Sequence, residues 1–372
     1  MLETVPVIGR RLLLVIAIAL AVAGPGAAQA PPGTPDAAAV ELRLVAATRA
    51  TPDSFAAHRA LAEFYLAARQ MPQAIAALER ARDLDPAHYA NGYDLAVAYL
   101  ETKRLDAARD QVRRMLAAKE TAELDNLMGD IDVEAGDRRA AAVGYQLAAR
   151  LQPTEDHLYD WGDNLLHLGA HGDAADVFAA GLRRFPMSSR LHLGLGIAQY
   201  ARGQHEDAVR SFCRAADINP DDDRPYGFLG EMYGVSPGLS GEITQRLARF
   251  VERYPDRASG HFYYAMSLWK GVGEIDLARV ESQLRRAVAL DGEFPRARLQ
   301  LGILLSEQPR WAEAIPELQR AVALAPEQPQ GHFRLAHAYR RNGQGALADE
   351  ELAIFERLKA REPADAPPPV PE

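Results

Sequence analysis

A chain of 372 residues in which 51 acidic side chains outnumber 42 basic ones, for a formal net charge of −9, lacks the basic footprint that phosphate-backbone binding requires, which excludes nucleic acid as a partner. A single cysteine, Cys213, excludes an intramolecular disulfide. Only 7% of residues are aromatic and no alternating Val/Ile-rich runs bounded by turns occur, so the chain is expected to be nearly all helix rather than sheet.

The first thirty residues read as a targeting segment. Arg10 and Arg11 precede an apolar run from Leu12 to Ala23, and Gly24-Pro25-Gly26 leads to Ala28-Gln29-Ala30. Charged, apolar and small residues in that order form a secretory signal, with cleavage expected after Ala30. The run is shorter than the roughly 20 residues a membrane span needs, and an uncleaved amino-terminal anchor is the alternative. Export directs the chain to a bacterial periplasm or to the medium. Losing Glu3, Arg10 and Arg11 removes two positive charges and one negative, which takes −9 to −10. Residues 31–54 hold a Pro-rich linker and a helix over Ala37–Ala50 that covers the exposed end of the first helix pair beyond it, with Asp53 or Ser54 available to cap the next helix.

From Phe55 onward the sequence is periodic. Pro52, Pro86, Glu120, Pro153, Pro186, Pro220, Pro255, Gly292, Pro326 and Ala360 are separated by 34, 34, 33, 33, 34, 35, 37, 34 and 34 residues. A period of about 34 is the length of two short helices, A and B, with two turns. Counting the marker as position 32, the first repeat has Leu61, Tyr65 and Leu78 at positions 7, 11 and 24 and small Ala62, Ala74 and Ala81 at 8, 20 and 27. Trp161, Gly162, Ala174 and Phe178 repeat the pattern in the fourth, and Leu335, Ala336, Tyr339, Ala348 and Leu352 in the ninth. Small residues suit the closest helix approaches, and large ones fill the gaps between. Position 15 is often glycine, as in Gly136, Gly169, Gly203 and Gly343, which fits a turn after helix A; Pro at 32 stops helix B. One pair cannot bury its own apolar face, so stacked pairs share a continuous core, and the usual rule of roughly 150 residues per domain does not apply.

These residues resemble the tetratricopeptide repeat family, and the resemblance covers nearly everything from Phe55 to Ala360. It implies an all-α fold, an α-solenoid winding as a right-handed superhelix of about nine helix pairs. It also implies a non-enzymatic scaffold that holds a partner peptide or protein in a concave groove lined by helix A positions 2, 5, 9, 12 and 13. Those positions carry Glu123, Asn126, Asp130, Val133 and Glu134 in the third repeat and Asp156, Tyr159, Asp163, Leu166 and His167 in the fourth, with Glu101 of the second adjoining. Six carboxylates and a tyrosine thus share one stretch, to which a basic segment of a partner is expected to bind. Farther on the groove holds Arg190, Leu193, Ile197 and Tyr200, then Phe262, Met266, Trp269 and Lys270, then His337, Arg340 and Arg341. It is expected to be acidic early, apolar in the middle and basic late. The same charges also suit an ordinary solvated helix face.

Other patterns resemble chemistry and fail on mechanism. Gly234-Val235-Ser236-Pro237-Gly238 spells a nucleophile elbow, but Leu229 to Tyr233 reads as helix A rather than a strand, and Pro237 has no N–H for an oxyanion. His58, His192, His261 and His332 share position 4 in separate repeats, where packing with a polar edge accounts for them better than metal binding. His167 and His171 have i, i+4 spacing, but Gly169 between them sits at a turn. Cys213 reads as a packing residue. No P-loop, dinucleotide fingerprint, zincin motif or credible triad occurs, so neither cofactor nor metal nor catalysis is expected. An accessory subunit of an envelope enzyme, a polysaccharide or secretion assembly, or a cryptic enzyme is the alternative. Gly271, Val272 and Gly273 are expected to absorb the 37-residue interval in the turn after helix A, leaving Leu284 and Ala287 in the core, and residues 361–372 form a Pro/Ala/acidic tail expected to be disordered.

Overall fold

The computed structural model describes residues 35–235, 237–271 and 275–361; the signal assigned to residues 1–30 and the tail beyond Arg361 lie outside them. Among the described residues there are nineteen α-helices and no strand. Helix α1 (Pro35–Ala50) comes first. Nine helix pairs succeed it: α2 (Phe55–Ala67) and α3 (Met71–Leu84), α4 (Tyr89–Glu101) and α5 (Leu105–Ala118), α6 (Ala122–Glu134) and α7 (Arg138–Leu151), α8 (Glu155–His167) and α9 (His171–Arg184), α10 (Ser189–Ala201) and α11 (His205–Ile218), α12 (Arg224–Glu231) and α13 (Ser240–Arg253), α14 (Ala258–Lys270) and α15 (Leu277–Leu290), α16 (Pro295–Glu307) and α17 (Trp311–Leu324), and α18 (Pro329–Arg341) and α19 (Gly345–Lys359). The described residues divide into two compact units, the first ending at Val177 and the second beginning at Phe178.

Local chemistry sets the helix starts. Ser54, Thr121, Thr154 and Ser188 precede α2, α6, α8 and α10, and each hydroxyl accepts a backbone N–H of the first turn that has no partner within the helix. Of the two candidate caps before α2, Ser54 makes that bond, while Asp53 accepts from Arg80 at 2.9 Å. The turns at position 15 are left-handed: Gly136, Gly169, Gly203 and Gly343 have φ between 72° and 83°. In the first two repeats Arg69 and Lys103 take that role at φ 54° and 60°, a conformation that costs an L-residue about 1–2 kcal/mol.

The core follows the size pattern. Where position 8 is alanine, as at Ala62 and Ala96, position 24 is Leu78 or Val112, and all four are buried. Where position 8 is Gly129 or Gly196, position 24 is an aromatic ring, and a Cβ on the glycine would lie 2.7 Å from Tyr145 or 2.6 Å from Phe212. The position 4 histidines do more than pack. Nε2 of His58, His192, His261 and His332 faces the carbonyl oxygen of the marker proline six residues earlier at 2.9–3.2 Å. A carbonyl only accepts, so that nitrogen carries the proton and ties each helix A to the turn after the preceding helix, which is α1 for His58 and a helix B for the others.

The sixth and seventh repeats depart from regularity. Helix α12 stops at Glu231, two residues short of the expected Tyr233, and a 3₁₀ turn over Pro237–Leu239 leads into α13. Tyr263 of α14 occupies the space over Gly230, where a Cβ would sit 2.2 Å from the ring. Helix α14 ends at Lys270 with Gly271 as its cap, before residues 272–274, which lie outside the described residues. Leu284 and Ala287 stay fully buried, as the placement of the extra residues after helix A predicts.

Candidate functional site

The acidic stretch of the third and fourth repeats lies wholly within the first unit, on α6 and α8. Its members have unequal roles. Glu123 and Asp156 are exposed, Asp163 and Tyr159 are half-buried, and Asp163 Oδ2 lies 3.6 Å from Nε2 of His167. Glu134 forms an ion pair with Lys103. Glu101 is half-buried, and burial raises its carboxyl above the ordinary range against the opposing pull of Arg69.

Two residues of the stretch serve the fold. Asp130 is only 7% exposed and accepts a hydrogen bond from the Tyr145 hydroxyl at 2.8 Å, so this carboxylate is an internal acceptor rather than a free groove charge. Asn126 is fully buried, and its Nδ2 donates to Asp160 Oδ2 at 3.0 Å, which ties α6 to α8. Its Oδ1 has no donor among the described residues. Sequence reasoning missed Asp160 because position 6 is not among the groove positions that the resemblance supplies. The same lattice joins the first and second repeats, where Arg59 at position 5 donates to Asp94 at position 6 at 2.6 Å. The partners are 35 and 34 residues apart, so pairs one period apart were the available signal.

In the second unit the mapped groove is largely closed by its own side chains. Trp269 is 5% exposed within the core, with Lys270 Nζ 3.9 Å from its ring centre, and Phe262 and Met266 are buried beside it. The apolar middle expected from the sequence is therefore interior, because neighbouring repeats cover it. Tyr200 is half-buried with its ring edge-on to His205; burial raises its hydroxyl pKa, and nearby Glu231 adds to that. Arg190 is half-buried, Arg340 is exposed and donates to Asp349 at 2.6 Å, and Arg341 is exposed.

The catalytic look-alikes do not gather into a site. The chain is helical up to Glu231, no strand leads into Gly234, and Ser236 lies outside the described residues. His167 ends α8 and His171 begins α9, so the pair does not share a helix face. Among the described residues no group of three or more His, Cys, Asp or Glu is placed to hold a metal ion. Burial pushes the Cys213 thiol up to about 12, which makes it a poor nucleophile.

Two sequence profiles, each described as tetratricopeptide repeat, match residues 35–89 and 159–223 and residues 66–131. The chain carries tetratricopeptide repeats. A third profile, described as bacterial transcriptional activator domain, matches residues 242–362. Tetratricopeptide repeat protein 37 of Xenopus laevis is 26% identical over 231 residues, which cover 58% of this chain and 14% of that much longer protein. Among solved structures, the C-terminal part of a TPR repeat-containing protein from Cytophaga hutchinsonii superimposes with a TM-score of 0.53 at 17% identity, over 63% of this chain and 96% of its own. It shares the fold. YrrB, described as a TPR protein with an unusual peptide-binding site, gives 0.41 at 20% identity over 49% of this chain and 95% of its own.

Proposed function

We propose that this chain is an exported, non-enzymatic scaffold of the bacterial cell envelope that binds a basic segment of a partner protein on the helix A face of the third and fourth repeats. The repeat fold supports a protein-interaction scaffold in general. The observation that carries the finer reading is the exposure of Glu123 and Asp156 beside half-buried Asp163, Glu101 and Tyr159 on one run of helices. Their fields add, which speeds encounter with a cationic segment, and an arginine over Tyr159 gains about 0.5–2 kcal/mol depending on its exposure. Export rests on the charged, apolar and small-residue order of residues 1–30.

Affinity capture from envelope extract with mass spectrometry identifies the partner, and amino-terminal sequencing of the recovered chain should begin near Pro31. Binding should weaken with salt, because exposed charges are screened. Glu123→Gln with Asp156→Asn should lower affinity and leave thermal stability unchanged; equal affinity would make these carboxylates an ordinary solvated face. Asp130 is unsuitable for this test, since its bond to Tyr145 is internal. The match of residues 242–362 to a transcriptional activator domain favours a second reading, in which this part acts within a regulatory protein. Recovery of the intact chain, Met1 included, from a soluble cytoplasmic fraction would favour that reading over export.

A further inference from the structure

On the helix B side of the third and fourth repeats, away from every mapped groove position, lies a hollow of about 450 Å³. Its walls are Trp161 and Leu165 of α8, Ala142 and Val143 of α7, and Val177 of α9, and Asp173 and Asp176 of α9 stand at the rim. The seam that holds it lacks a bond found at several others. At three other seams, though not where Leu268 or Leu305 holds position 11, a side chain of one helix B bonds the position 11 residue of the next repeat: Tyr99 donates to Glu79 at 2.6 Å, Arg109 to Asp132 at 2.7 Å, and Gln319 to the Tyr339 hydroxyl at 2.7 Å. Here position 11 is Leu165, which can form no such bond, and Gln146 of α7, at the same position as Glu79 and Gln319, bonds nothing among the described residues. With Ala142 and Val143 short on the near wall, the seam stays open over the tryptophan.

Two features specify an occupant. Val143 is 58% exposed and Trp161 half-buried over buried Leu165 and Val177, so the two of them offer apolar surface at the mouth of the hollow. The exposed carboxylates of Asp173 and Asp176 form no ion pair among the described residues, unlike Asp132 and Glu79 at neighbouring seams. Asp173 also suits the first turn of α9, where negative charge complements the helix dipole, so Asp176, beyond that turn, is the more specific marker. We propose that this hollow is a docking site, separate from the helix A face, for a segment of a partner protein that presents an aliphatic side chain next to a lysine or arginine. The aliphatic group would lie on Trp161 and Val143, and the cation would pair with Asp176 and Asp173.

The test uses the full chain and a fluorescein-labelled amphipathic peptide of alternating leucine and lysine blocks, with a leucine–glutamate peptide as control. Anisotropy should report binding of the lysine peptide alone. Val143→Lys, a change at an exposed helical site, should weaken that binding about tenfold or more, the size of effect expected at a central contact. Asp176→Asn should weaken it about threefold and flatten its salt dependence, because one exposed ion pair is lost. The ¹⁵N-labelled chain has three indole N–H signals, one per tryptophan, and the one assigned by Trp161→Phe should shift on peptide addition. Failure of the peptide to bind, an unmoved Trp161 signal, or unchanged affinity in both variants overturns the proposal. So does loss of binding only in Glu123→Gln with Asp156→Asn, which would support the helix A face instead. If Val143→Lys dissociates a dimer without changing peptide affinity, the occupant is a second copy of the chain and the proposal fails.

Discussion

The third and sixth repeats both place a glycine at position 8 and both cover it with a tyrosine ring, but the rings come from different places. In the third, Tyr145 of the same repeat's helix B lies over Gly129, between helices of 13 and 14 residues. In the sixth, the ring over Gly230 is Tyr263 from helix A of the next repeat, and helix A of the sixth is only 8 residues long. The Tyr263 hydroxyl then reaches Glu231 at 3.0 Å, and Arg296 of the eighth repeat closes on both oxygens of that carboxylate at 2.6 and 3.0 Å. Arg296 also lies 5.0 Å from the Phe262 ring centre. The regular repeat is held by its own two helices, whereas the irregular one borrows contacts from two later repeats. The shared requirement is that the space over the glycine be filled; the period is one way of meeting it.

The largest effect should come from tightening the regular repeat. A Cβ on Gly144 of α7 would lie 2.7 Å from the Asp125 carbonyl oxygen and 3.0 Å from the Gly129 nitrogen, and backbone cannot swing aside. Gly144→Ala should lose about 2–3 kcal/mol in a denaturant titration. In the sixth repeat a Cβ on Gly227 meets nothing within 4 Å, so Gly227→Ala should gain up to about 1 kcal/mol from helix propensity. Equal effects at the two sites would erase the contrast between the two repeats.

Next in size is the borrowed network. Arg296→Ala should cost about 1–2 kcal/mol, the range for a hydrogen bond to a charged group with one face in water. A double-mutant cycle with Tyr263→Phe should show coupling, since both side chains bond Glu231. Strict additivity would mean the two bonds act independently.

The third repeat also differs at position 4, where Asp125 stands in place of the histidine that four other repeats use as a donor. Burial, with Glu120 nearby, pushes its carboxyl up to about 6, and Oδ2 has no partner among the described residues. A carboxyl whose folded pKa is raised contributes stability that is present below its unfolded pKa and lost as pH rises through about 6. Asp125→Asn should therefore match the wild type near about pH 4 and exceed its melting temperature near about pH 8, because the neutral side chain carries no such penalty. A difference that is the same at both pH values would rule out ionisation as the cause. Smallest of all, Arg69→Gly relieves a left-handed turn and should gain a few tenths to about 1 kcal/mol, after the flexibility glycine adds to the unfolded chain.

Much of the fold was legible because its signals are local. The 34-residue period, the glycines at position 15, the cap at Asp53 or Ser54, and the small-large alternation each depend on one helix or one turn. The candidate surface was legible only in part. Sequence placed Asp130 and Trp269 on the groove with Glu123 and Asp156, since position within a repeat is all that a periodic pattern reports. The structure leaves Glu123 and Asp156 exposed but buries Asp130 under a hydroxyl of its own helix pair and Trp269 within the core.

The sequence by itself determined that helices form, where they turn and that neighbouring pairs must stack, because apolar spacing and backbone conformation act within about one period. Only the tertiary structure decided that Tyr263 covers Gly230, that Arg296 spans to Glu231, and that the seam over Trp161 is open. Those outcomes depend on which side chains from different repeats meet, and on whether one of them is long enough to fill the space between.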